Sequence, residues 1–312
     1  MNARRFGLPY FICALACIGS KPSGSAAAAQ QPNNAKAWFD ARSVCIFPLQ
    51  DGRLPRSRDE LDDSLTRGWD KAMRVRDNSK LVQIQGEGYP ALESLRIDLS
   101  DAAMPDGKAE KVQPNNRPQT RLGVGRFELV GEPLLCKDAR LNLSVSAADA
   151  HLDLERDRHG KPIMLLSEAR DASLSFHATG ADLQRILLAD LRAEASPFGV
   201  DIVSTSLHLV ADTDRSVSVD LQVRTKFALI PAGMHFRAHV DIDDNMNAKL
   251  SGLSCDGDEV LGPLIVGLIR PGLVKYDGRS RPLLSFPSGK MHLRDVRIRV
   301  DDSVHLSAAF GT

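Results

Sequence analysis

Eight histidines are spread over the 312 residues, and metal or general-base chemistry would need at least two of them brought to one place. His235 and His239 share one parity of an alternating run and could touch a common ion. Arg237 stands between them on that polar side, so a solvated sheet face is the expectation. Asp241-Ile-Asp243-Asp244-Asn245 resembles a calcium loop, but it lacks the glycine and closing glutamate of an EF-hand and reads as a charged hairpin turn. Ser285 and Ser288 lie outside any Gly-x-Ser-x-Gly elbow, and no serine, histidine and acid stand in a recognisable triad order. Leu122-Gly-Val-Gly125 is not followed by Lys-Ser/Thr, so it is no phosphate cradle. Cys-x-x-Cys does not occur, which argues against a redox motif or a zinc knuckle. The expectation is a chain that is not an enzyme and uses neither metal nor cofactor. Arg294, Arg297 and Arg299 remain. Guanidinium forks match phosphate oxygens, so at the mouth of a channel they would attract anionic head groups; elsewhere they are an ordinary polar sheet face.

Charge narrows the classes further. Forty basic residues balance forty acidic ones, so no global field points to nucleic acid. Aromatic residues make up only 5%, and the core must be mostly aliphatic. Met1-Asn-Ala-Arg-Arg5, then the apolar Leu8 to Ile18 and the small residues Ser20 to Ala29, have the three-part layout of a secretory signal. Cleavage after Ala29 and export are expected. Arg4-Arg5-Phe6 has a weak likeness to a twin-arginine signal, although a basic pair is ordinary in any signal. Ala14-Leu15-Ala16-Cys17 resembles a lipoprotein cleavage box that would anchor the chain through Cys17, with Leu15 where a small residue is usual; otherwise Cys13 and Cys17 are plain apolar residues of the leader. Beyond it Cys45, Cys136 and Cys255 are an odd set, for which one disulfide and one thiol is the simplest arrangement in an oxidising compartment. The pairing is left open by the spacing.

These residues need elements to hold them. Residues 30–37 read as a flexible linker, and Ser57-Arg-Asp-Glu60 fits a capping box ahead of Leu61, Leu65, Trp69, Ala72 and Met73 at helical spacing, giving a helix over Arg58 to Arg76. Strands dominate after that. Val82 and Ile84, Leu95 to Leu99, Phe127 and Leu129, and Leu141 to Val145 alternate with polar residues, while Ala102 to Gln119 reads as a long loop. The parity changes near Ala147-Ala148, where a bulge or bend is expected, and Asp157-Arg-His-Gly160 is a hairpin turn. A second helix after Thr179-Gly-Ala-Asp182 puts Leu183, Ile186, Leu187 and Leu191 on one side. Then Val217, Val219, Leu221, Val223, Thr225, Phe227 and Leu229 alternate with the polar Ser218, Asp220, Gln222, Arg224 and Lys226, and after a turn at Pro231-Ala-Gly233 Phe236, Ala238, Val240 and Ile242 run back.

The third helix is the greasiest stretch. Val260, Leu261, Leu264, Ile265, Leu268 and Ile269 recur at three and four, with Asp258 placed to cap the run and Arg270-Pro271 to end it. At roughly a dozen residues it is too short to span a bilayer, which takes about 20. Val296, Ile298 and Val300, then Val304 to Phe310, close the chain as alternating strands. One-sided alternation over about ten segments describes an antiparallel sheet with one wet and one dry face. The expected class is α+β: a long, highly curved antiparallel sheet wrapped around a few amphipathic helices, leaving an apolar groove.

Phe176-His-Ala-Thr-Gly-Ala-Asp-Leu183, Phe227-Ala-Leu-Ile-Pro231, Leu250-Ser-Gly-Leu253, Pro282-Leu-Leu-Ser-Phe-Pro287 and Leu293-Arg-Asp-Val-Arg-Ile-Arg-Val300, in that order, resemble the bacterial LmeA-like phospholipid-binding family, a relative of the tubular lipid-binding superfamily. The resemblance covers Leu95 to Phe310, so 38–312 would be one elongated domain with 38–90 as a helix-containing extension and 95–312 as the family-like core. It implies a curved sheet around a helix, a lipid groove, a place in the bacterial envelope and no catalytic residues. Phospholipid or another acyl lipid is the partner expected, with peripheral membrane contact and no nucleic acid. Acyl chains would lie among Leu183, Ile186, Leu187, Leu191, Val219, Leu221, Val223, Phe227, Phe236, Val240 and the Val260–Ile269 helix face, at about 0.8 kcal/mol per buried CH₂. The competing reading is an envelope assembly protein, tethered through Cys17, that holds a protein partner and no lipid.

Overall fold

A computed structural model describes residues 37–40, 42–75, 80–105, 112–115, 117–227, 230–259 and 261–312. The expected leader, Cys17, most of the linker, Leu229 and Val260 lie outside the described residues. The chain is α+β, mostly strand, in open sheets not closed into a barrel. It divides into two compact units. One comprises Asp40–Ala178, Leu284–Arg297 and His305–Thr312; the other comprises Thr179–Leu283, Ile298–Val304 and residues 37–39.

In chain order the first elements are β1 (Phe39–Asp40), the single turn α1 (Arg42–Cys45), β2 (Ile46–Pro48), α2 (Arg58–Ala72), β3 (Val82–Gln85), β4 (Ala91–Asp98), β5 (Thr120–Cys136), β6 (Ala139–Arg156), β7 (Pro162–Glu168) and β8 (Asp171–Thr179). There follow α3 (Gly180–Ala195), a 3₁₀ turn, β9 (Val200–Thr213), β10 (Ser216–Phe227), β11 (Ile230–Ile242), β12 (Asn247–Asp258), α4 (Gly262–Val274), β13 (Ser280–Pro282), β14 (Leu284–Ser285), β15 (His292–Val300) and β16 (Ser303–Gly311).

The larger sheet runs β15-β16-β8-β6-β5-β4-β3, with β7 on β6 and β2 on β7. Its β4–β5 pair is parallel, Leu95 facing Phe127 and Ile97 facing Leu129, so the expected purely antiparallel sheet is in fact mixed. The reason is the long stretch after Leu99, which lets the chain return to the start of β4 before β5 begins. The bend expected near Ala147-Ala148 falls at Asp149, which has φ 47°, and there β6 exchanges its partner β8 for β7. Helix α2 starts as the capping box predicts on one side only. Ser57 Oγ accepts the Glu60 N–H at 3.2 Å, whereas the Glu60 carboxylate reaches past Ser57 to the Arg56 N–H at 2.9 Å. Leu61, Leu65 and Trp69 are its buried face. A methyl group on Gly68 would sit 2.4 Å from the Pro48 carbonyl oxygen, so a glycine is what lets α2 lie against β2. Buried acids in this unit are held by donors: Glu155 accepts the Asn115 and Arg117 N–H groups at 3.0 and 2.9 Å, and Asp153 takes Arg121 in a two-pronged contact at 2.7 and 3.2 Å.

The second unit is an antiparallel sheet in the order β13-β12-β11-β10-β9. The long alternating stretch becomes β10, whose twelve residues pair with β11 without a break from Ser216↔Asp241 to Phe227↔Ile230. Val217, Val219, Leu221 and Val223 are buried, as the alternation predicts, and so are Val240 and Ile242 on β11. Asp241 to Asn245 is the expected turn: Asp243 accepts the Asn247 N–H at 2.8 Å, and that bond holds its carboxyl below the usual range. Helix α3 is capped by Thr179, which accepts the Asp182 N–H at 3.1 Å. It then donates side-chain hydrogen bonds to strand β9, from Gln184 to the Thr205 carbonyl and from Arg192 to the Ile202 and Val203 carbonyls at 2.9 and 3.2 Å. The expected disulfide is not formed: Cys45, Cys136 and Cys255 are buried thiols.

Candidate functional site

Three glycines fix where α4 lies. A methyl group on Gly257 of β12 would come within 2.3 Å of Gly262 backbone, one on Gly262 within 2.5 Å of the Gly233 carbonyl oxygen, and one on Gly233 of β11 within 1.6 Å of Asp258 Oδ1. The start of the helix is therefore pressed onto two strands at a distance only backbone can reach. It begins at Gly262 behind Leu261, without a side-chain cap, and runs to Val274 with Pro271 inside. Sequence reasoning placed the cap at Asp258 and the stop at Arg270-Pro271. Neither holds: Asp258 is still in β12, and Pro271, in the last turn, removes one hydrogen bond where the helix is about to end anyway.

Helix α4 turns Val266 and Leu273 inward onto Cys255, with Met234, Phe236, Leu253 and Ile269 packed around them. Phe236 stands opposite Cys255 in the register, so this is the dry side of the sheet. Burial drives the Cys255 thiol up to about 11, the neighbouring Asp256 charge adds to the shift, and Arg270 opposes it. The far side of the helix is apolar as well. Leu268 is 83% exposed, and Leu264 and Val274 are each 67% exposed, the largest exposures of big apolar side chains among the described residues. Gly267 and Pro271 lie in the same stripe, and no acidic residue occurs between Gly262 and Val274. Arg270 and Lys275 are exposed at its margin, and the Arg279 guanidinium stacks 5.4 Å from the centre of the Tyr276 ring.

The predicted site residues thus separate. Leu183, Ile186 and Leu187 on α3 and Val219, Leu221, Val223 and Val240 on β10 and β11 are buried by the protein's own atoms. Leu191, Leu261 and Ile265 are half-buried, Ile269 and Phe236 lie against the Cys255 cluster, and Leu264 and Leu268 face outward. The Phe227 side chain and Val260 are outside the described residues. Sequence reasoning put Leu264 and Leu268 on the inner face and missed Val274. A signal was present, since a helix apolar all round has more than one face to bury. No family model, curated protein or solved structure matches this chain.

On the wet side of β10 and β11 the charged residues form a ladder. His235 Nε2 meets Asp220 Oδ1 at 2.5 Å while its Nδ1 takes the Arg237 guanidinium at 3.1 Å. His239 Nε2 meets Asp241 at 3.0 Å, and its Nδ1 lies 3.1 Å from Ser218 Oγ, which also reaches Asp212 at 2.8 Å. Both rings are engaged by carboxylates and their neighbours, forming a polar network on the sheet face. Arg294 pairs with Asp171 at 3.1 Å and Arg297 with Asp295 at 3.0 Å, which engages two of the three arginines singled out as a head-group patch. Among the described residues no group of three metal-ligating side chains occurs, and no helix is long and apolar enough to cross a membrane.

Proposed function

We propose that the chain is an exported lipid-binding protein of the bacterial envelope that contacts phospholipid acyl chains through the outward stripe of α4. The single observation that carries this reading is the exposure of Leu264, Leu268 and Val274 on one acid-free helical face with Arg270 and Lys275 at its edge. Three large aliphatic side chains in water are a standing cost, and each would gain about 1.5–3 kcal/mol on entering hydrocarbon. A helix with an apolar outer face and basic flanks lies in the head-group boundary rather than across the bilayer. The other side of α4 is already satisfied by Val266 and Leu273 on Cys255, so the sheet holds the helix while its outer stripe meets lipid. The resemblance to the LmeA-like family and the signal-like N-terminus agree with this reading and add the envelope as its location.

Binding to vesicles of phosphatidylglycerol and phosphatidylcholine tests it directly. The wild-type chain is expected to float with the vesicles, and Leu264→Asp with Leu268→Asp to lose at least about tenfold in partitioning while its melting temperature is unchanged, because those side chains contribute little to the core. Equal flotation of the double variant, or none by the wild type together with no lipid in mass spectra of the purified protein, would remove the proposal.

A further inference from the structure

We infer that the C-terminal end of α4 selects membranes with anionic head groups, through the guanidinium groups of Arg279 and Arg281 together with Arg270 and Lys275. This rests on the reading of α4 as a lipid-contacting helix and names the kind of surface it meets. Between Gly262 and Leu283 stand four basic residues and a single acid, Asp277, whose Oδ1 accepts the Leu253 N–H at 3.1 Å. The other nearby acids in the chain, Asp256, Asp258 and Glu259, come before the helix begins, so charge is graded from acidic ahead of α4 to basic at its end. Elsewhere arginines are engaged by carboxylates: Arg121 by Asp153, Arg215 by Asp244 and Arg294 by Asp171. Arg270, Lys275, Arg279 and Arg281 pair with no carboxylate among the described residues. Two of the four are held by aromatic rings instead. The Arg279 guanidinium lies over Tyr276, two residues past Val274, and the Arg281 guanidinium lies 5.2 Å from the centre of the Trp38 ring. Trp38 is itself fixed, its Nε1 donating to the Ala248 carbonyl at 2.7 Å and its backbone N–H to the Pro282 carbonyl at 2.9 Å. Ala248 faces Arg281 on one side and Ile242 on the other, and Ile242 shares its parity on β11 with Phe236, which faces Cys255. Arg281 therefore stands on the side of the sheet that carries α4. A stacked guanidinium loses little freedom on binding, and its open fork matches two oxygens of a phosphate. Tyrosine and tryptophan rings settle at head-group level, beside the hydrocarbon that Leu264, Leu268 and Val274 enter. A lipid phosphate fits this placement better than a soluble anion does, because only the lipid also covers the exposed aliphatic side chains.

Flotation with vesicles of phosphatidylcholine alone, and of phosphatidylcholine mixed equally with phosphatidylglycerol, tests the selection. At about 0.1 M salt the wild type is expected to partition at least about twentyfold more strongly onto the mixed vesicles, and about 0.5 M salt to remove most of the difference. Arg279→Gln with Arg281→Gln is expected to lose about tenfold on the mixed vesicles while keeping its melting temperature and its partitioning onto the neutral ones. Arg270→Gln with Lys275→Gln, which disturbs no stacking, is expected to fall by about fivefold in the same way. Equal partitioning of the wild type onto both vesicles, or a folded glutamine pair as selective as the wild type, would overturn the inference and leave lipid contact by α4 standing. Flotation with neither vesicle would remove the lipid reading itself, and this one with it.

Discussion

Cys255 shows how much a single side chain reports on its surroundings. It is 3% exposed beneath α4, and its thiol is pushed up to about 11, chiefly by burial. Because the proton is held more tightly in the folded chain than in the unfolded one, stability from this group is full below the ordinary thiol range. It is lost as pH climbs from about 9 through 11. Iodoacetamide at pH 8 is therefore expected to label Cys255 far more slowly in the native protein than in urea, by peptide-resolved mass spectrometry, and equal rates would show that α4 does not cover it. The sequence made Cys255 one of three cysteines with an open pairing; only the fold shows it as a core residue. Residue-scale reading was sound for the charged turn at Asp243 and for the polar face at His235 and His239. The ring contact between His177 and His305, with centroids 4.4 Å apart, was out of its reach, because pairing across more than a hundred positions leaves no trace in local spacing.

At the scale of elements the same pattern recurs. Alternation located β10 closely, since a half-buried strand must alternate, whereas β11 begins at Ile230, ahead of the Pro231 turn from which the return run was read. The helix α4 was found but turned wrongly, because apolar residues on every side leave the periodicity without a direction, and its true orientation is set by Gly233, Gly257 and Gly262. Gly257→Ala places a methyl group 2.3 Å from Gly262 backbone and must displace the helix. The expected loss is about 1–3 kcal/mol in urea denaturation, with faster labelling of Cys255 as α4 lifts. A variant as stable as the wild type would mean that the helix start is not seated on β12. The parallel β4–β5 pair was also beyond sequence reach, because strand direction in a sheet depends on where a long connection returns, and alternation is the same for either direction.

For the molecule as a whole, the strand-rich α+β class was legible, whereas the division into two units was not. The chain passes between them at 39/40, 178/179, 283/284, 297/298 and 304/305, so neither unit is one continuous stretch. A chain ended at Ala178 keeps β3 to β8 but loses β16, leaving the outer edge of β8 unpaired. Such a fragment is expected to aggregate or to bind a hydrophobic dye, and to recover solubility when residues 284–312 are supplied in trans. A monomeric fragment with a cooperative melt would show that β16 is dispensable. The stretch read as one elongated domain contains two compact units, and hydrophobic pattern does not mark the division because it records which residues are buried, not against which neighbours.

The place of β16 also dictates a timetable. The sheet that holds β3 to β8 receives this neighbour only after residues 180–302 have been made, so during that interval the nascent chain carries an open seam on β8 that it cannot itself close. That seam stays open until β16 itself has emerged.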